Sequence, residues 1–250
     1  MVKYLLRYFA VFMVLGLLWK GAALLTGGEV LPHPEDAFAA FGRALGTKPF
    51  WIDFASSSYR AVTAMALAWG VAFPLGLVMG SSKRVDGILA PFVFLTYPIP
   101  KIVLLPVFLL LFGLGDLSKI CMIALILGYQ VLVTTRDGVR AIHPKYYDSI
   151  RSLGGTPRHI LLEVLVPAAL PHGFTALRLG TGVAVAVLFF VESFATQHGL
   201  GYRIMDAWGR MDYLNMFTGI LGMSLLGAVL YEAANFLEKH ICRWMTAGHK

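Results

Sequence analysis

Ala61 to Gly80 is a run of twenty residues without a charge, and no other feature restricts this chain so strongly. A helix over that run, at about 1.5 Å per residue, matches the hydrocarbon thickness of a bilayer. Further apolar runs follow at intervals, and 58% of the 250 residues are hydrophobic while only 14% are charged. A chain of this length cannot hide so much apolar surface in a water-soluble core. The expectation is an all-α transmembrane chain forming one domain over 1–250. Its spans fall near 4–25, 59–80, 91–112, 119–135, 172–194 and 213–232.

The first run, flanked by Lys3 and Arg7, reads as a permanent span more readily than as a cleavable leader. It is longer than a usual signal core, and Lys20 can snorkel to the interface near its far end. Residues 26–58 make the longest external connector. An amphipathic helix is expected from Glu35 to Leu45, and Phe38, Phe41, Phe50, Trp51 and Phe54 either lie along the interface or pack over the span ends. In the second span Gly76 and Gly80 share a face and would let another helix backbone approach closely.

The third run is interrupted by Pro98, Pro100 and Pro106, each of which removes a backbone donor. A broken span is implied. Irregular backbone at membrane depth survives only inside protein or beside a wet cavity, so Pro98, Pro100, Lys101 and Pro106 are candidates for a translocation path. Lys101 has a second reading, at the cytoplasmic interface with its side chain snorkelling. Arg178 and Glu192 are ionisable groups in or at the edge of the fifth span and join the candidates; Glu192 can instead mark that span's outer end.

Charge placement orients these spans. With both termini cytoplasmic, the cytoplasmic segments hold Lys3, Arg7, Lys83, Arg84, Arg136, Arg140, Lys145, Arg151, Arg158, Lys239, Arg243 and Lys250 against only Asp86, Asp137, Asp148, Glu163 and Glu238. External segments are close to balanced. The net charge of +7 therefore reports orientation and does not require a nucleic-acid partner. Cys121 and Cys242 fall on opposite sides and give no disulfide or metal-ligand pattern.

One polar stretch is long enough to organise the rest: Tyr146 to Pro171, between the fourth and fifth spans. Gly154-Gly155 followed by Thr156-Pro157 signals one short helix ending and another beginning, with positive φ wanted at the glycine turn. Asp148 and Ser149, then Gly154 and, further on, Val164-Leu165-Val166-Pro167, resemble the cytoplasmic loop signature of ABC-importer permeases. Asp148-Ser149-Ile150 departs from the Glu-Ala-Ala usual there. Tyr97 to Lys101, Phe112 to Lys119, Pro167 to Arg178, and Glu192 with Gly199 to Tyr202 are similar to the nitrate, sulfonate and taurine subfamily.

That resemblance implies a six-span type I ABC importer permease fold with a cytoplasmic coupling-helix loop over 146–166, in a cell inner or plasma membrane. It also implies two ATP-binding cassette ATPase subunits, an extracytoplasmic solute-binding protein and a second permease copy. Asp148, Ser149, Gly154, Gly155 and Pro167 would then be the ATPase-coupling residues. The chain itself carries no phosphate loop, His-Glu-x-x-His pair or Cys pair, so no catalytic residue, metal or cofactor is expected on it. A six-span channel or secondary transporter is the alternative, but it leaves the spacing from Asp148 to Pro167 without a reason.

Overall fold

The computed structural model describes the backbone of residues 2–28 and 30–247, and the side chains of 11, 13–28 and 30–245. Lys250 of the charge reading lies outside the described residues, as do Glu29 of the external connector and the side chains of Lys3 and Arg7. Every regular element among the described residues is helical. The helices are α1 Val2–Leu25, α2 Pro34–Ala44, α3 Lys48–Ser81, α4 Lys83–Thr96, α5 Leu105–Phe112, α6 Asp116–Arg140, α7 Pro144–Ser152, α8 Pro157–Ile160, α9 Val166–Glu192, α10 Leu200–Gly209, α11 Tyr213–Ile241 and α12 Trp244–Ala247.

Four helices among the described residues are long and apolar enough to cross a membrane: α3, α6, α11, and the continuous stretch Pro157–Glu192. The pair Lys83–Thr96 and Lys101–Phe112 passes the same test only as a bent unit, with an angle of 87°. The described apolar part of α1, Met13–Leu25, is shorter than a full span.

The helices outrun the expected spans, for identifiable reasons. α4 starts at Lys83 and not near 91, because Ser82 caps it by accepting from the Val85 N–H at 3.4 Å. α6 continues past 135 to Arg140, because Arg136 finds Asp86 as a partner and need not reach water. α11 likewise runs through Glu238, which pairs with Arg178 at 3.2 Å. α3 begins at Lys48, so the last part of the expected external connector is helix.

Two expectations about proline and helix breaks need correction. Pro106 does not interrupt the helix Lys101–Phe112; it sits where a 3-10 turn over Lys101–Leu104 passes into the first α-helical turn of α5, a position whose pre-set φ it fits. The second short helix of the polar stretch is not a separate element either. α8 runs through a π-helical turn, Leu161–Leu165, straight into α9. Pro167 has no N–H to return to the preceding turn, and a π turn just before it absorbs that mismatch.

The chain divides into two compact units. Unit 1 comprises Met1–Ser57 and Glu192–Leu225. Within it Trp19 stacks on Phe217 with ring centroids 5.3 Å apart, and its indole N–H donates to the Pro32 carbonyl at 3.1 Å. Lys20 pairs with Glu35. Of the connector's aromatics, Phe50 is fully buried among Phe41, Trp51 and Phe54, whereas Phe38 and Trp51 stay exposed.

Unit 2 comprises Ser58–Val191 and Leu226–Lys250. Its core is drawn together by glycines. A Cβ at Gly76 would lie 2.7 Å from the Leu132 carbonyl oxygen, and one at Gly80 would lie 2.5 Å from Val139 Cβ. These two residues are the close approach expected between α3 and another helix, which is α6. On another side of α6, a Cβ at Gly138 would meet the His172 ring at 2.5 Å.

Candidate functional site

In unit 2, none of the nine residues of α7 is buried. His143 caps it by accepting the Lys145 N–H at 3.2 Å, and Pro144 opens it with a pre-set φ. Tyr147 and Ile150 are the half-buried face, while Tyr146, Asp148 and Ser149 are exposed. Partial burial pushes the Tyr147 phenol up from its usual range, against a lesser opposing pull from Arg151. Asp148 is exposed and pairs loosely with Arg151 at 3.8 Å. The Ser149 hydroxyl donates to the Lys145 carbonyl at 2.9 Å.

The end of α7 is a Schellman turn. The Gly155 N–H reaches the Ile150 carbonyl at 2.9 Å and the Gly154 N–H reaches that of Arg151 at 3.0 Å. Gly154 takes φ +76°, with nothing within 4 Å of where a Cβ would stand. Gly155 differs from expectation: its φ is not positive, and its need for glycine is steric. A Cβ there would lie 2.3 Å from the Ile150 side chain and 2.6 Å from the Ile150 carbonyl oxygen. The Thr156 N–H then donates to His159 Nδ1 at 3.0 Å, opening α8. Pro167 lines a cleft of about 440 Å³ under this loop, with Tyr146, His143, Glu163, His172 and Trp244 among its walls.

The bend between α4 and α5 holds Pro98 and Pro100. Lys101 Nζ donates to the carbonyls of Thr96 at 3.1 Å and Tyr97 at 3.0 Å, and lies 3.9 Å from the centroid of the Tyr129 ring. The ammonium thereby neutralises carbonyls freed where α4 stops. Arg178, also in unit 2, pairs with Glu238 and donates to Asn235 Oδ1 at 3.3 Å.

Glu192 belongs to unit 1, where it is 1% exposed. Its carboxylate accepts from the Ser57 hydroxyl at 2.8 Å and the Gly201 N–H at 2.9 Å. Ser57 Oγ in turn accepts from the Leu200 N–H at 2.8 Å, and Asp53 accepts from the Gly199 N–H at 3.0 Å and pairs with Arg203. Three successive donors at the start of α10 are thus met by side chains more than a hundred residues away or across a loop. Sequence reading missed Asp53, Ser57, Asp86 and Arg136 as partners, since nothing local marks a pairing at such separation.

Residues 72–246 match the family model described as binding-protein-dependent transport system inner membrane component. The chain belongs to that family. It is a membrane-spanning permease subunit of an ATP-driven importer, and as a transport permease it is not itself an enzyme. A Bacillus subtilis permease named for aliphatic sulfonate transport is 28% identical over 91% of this chain and 83% of its own. The taurine transport system permease of Escherichia coli is 29% identical over 90% of this chain and 84% of its own. The same fold occurs in an inward-facing methionine ABC transporter, with a TM-score of 0.64 and 16% identity over 78% of this permease and 99% of that chain.

Proposed function

We propose that this permease imports a small solute of the sulfonate, taurine or nitrate kind by alternating access. A solute-binding protein delivers the solute outside, and two ATPase subunits act on a pair of permease copies from the cytoplasm. The relatives named for aliphatic sulfonates and taurine support the solute class. Six spans with both termini cytoplasmic fit the distribution of basic residues. Pro98, Pro100, Lys101, Pro106, Arg178 and Glu192 are proposed as groups along or beside the path, the first three because irregular backbone gathers at such places.

The observation that carries this reading is α7, a capped and exposed helix with a fixed end. A rigid helix presented to a partner transmits a rigid-body movement, whereas a flexible loop dissipates it. Asp148 and Ser149 face outward for the ATPase, Gly154 and Gly155 fix the exit angle, and Pro167 sets where α9 resumes regular helix. Gly154→Val tests it, since a β-branched residue at φ +76° is a strained outlier. The variant is expected to reach the membrane in normal amount while losing ATPase attachment or hydrolysis stimulated by loaded binding protein. Parental coupling in that variant defeats the assignment of α7, and a permease that never co-purifies with an ATPase favours the channel or secondary-transporter alternative.

A further inference from the structure

Asp86 lies in the first turn of α4 with its side chain 11% exposed, and Arg136 meets it through Nε and Nη2 with its own side chain 9% exposed. Arg140, the last residue of α6, reaches the same carboxylate at 3.0 Å. Arg136 also stands 5.0 Å from the Phe94 ring centroid, so it grips α4 at a second point near the bend. Only Ala141, Ile142 and the capping His143 separate Arg140 from α7.

We propose that Asp86 is a positioning residue that makes the bent α4–α5 pair follow α7. The inference rests on α7 being the ATPase contact. Parting a buried pair would leave an uncompensated charge, so the end of α6 and the start of α4 move as one body. α4 is a lever of 14 residues ending in an 87° bend, and a small shift at Asp86 is carried to Tyr97–Pro100. A structural ion pair with no part in coupling would stabilise the same contact but leave the bend indifferent to nucleotide.

The test needs no knowledge of the solute. Ile99, which is 47% exposed beside the bend, is replaced as Ile99→Cys in a permease carrying Cys121→Ala and Cys242→Ala, co-expressed with its ATPase subunits. Thiol labelling is timed with and without ATP plus vanadate. With Asp86 intact the rate is expected to change about threefold or more on trapping nucleotide, and with Asp86→Asn to stay constant while the ATPase still co-purifies. If Asp86→Asn fails to accumulate, Arg136→Lys, which keeps the charge but loses the two-point contact, is expected to reduce the change. A full nucleotide response in either variant overturns the proposal, as does an unresponsive Ile99→Cys in the parent with ATPase attached. Failure of the parent to hold an ATPase would overturn the α7 reading instead, and this inference with it.

Discussion

Glu192 shows how little a residue's position along the chain says about its surroundings. Its place at the end of α9 left open a path residue or a simple end marker; the structure gives it the Ser57 hydroxyl and the Gly201 N–H inside unit 1. Glu192→Ala strands both buried donors, each costing about 1–3 kcal/mol, and is expected to lower the melting temperature of the detergent-solubilised permease markedly. Glu192→Gln keeps an acceptor and should melt closer to the parent. If Glu192→Ala melts with the parent, the network has little structural weight. Gly199, at φ +138°, belongs to the same set, because a Cβ there would stand 2.6–2.7 Å from the Glu192 carboxyl atoms. Sequence alone marked Gly199 and Glu192 through resemblance, but not Asp53 or Ser57, since an exposed-looking connector gives no sign that its polar residues face inward.

At the scale of elements, helix ends carry most of the specification. Ser82, His143 and Asp212 each cap a helix, the last by accepting the Asn215 N–H at 3.1 Å. Hydrogen bonds from the Asn215 side chain and backbone hold the Asp212 carboxyl below its usual range. α10 ends in the same Schellman geometry as α7, with the Asp212 N–H on the Ala207 carbonyl at 2.9 Å, but Met211 occupies the left-handed position at φ +58°. Met211 is 76% exposed and loses little contact on replacement. Met211→Gly is therefore expected to stabilise the permease by about 1 kcal/mol, a rise of roughly 2–4 °C in melting temperature for a chain of this size. A fall would mean that the Met211 side chain contributes more than the backbone strain it imposes. The Gly154 turn was legible because Gly-Gly before Thr-Pro leaves few alternatives; the Met211 turn was not, because methionine carries no turn signal.

For the whole molecule, the orientation of the chain is the open property most easily measured. In a background lacking Cys121 and Cys242, Lys145→Cys is expected to resist a membrane-impermeant thiol reagent applied outside intact cells, and Gly46→Cys to react with it. The opposite pattern reverses the topology. The amino-acid sequence by itself determined that this is a helical membrane protein, because apolar runs of bilayer length have no other stable state, and it located the break at Pro98–Pro100 and the turn at Gly154 through backbone chemistry that acts locally. Only the tertiary structure decided how far each helix extends and which polar groups meet. Arg136 and Glu238 looked like loop charges until Asp86 and Arg178 supplied partners, because a charge withdrawn from water within a long helix is tolerated where another helix brings its counter-charge to the same depth.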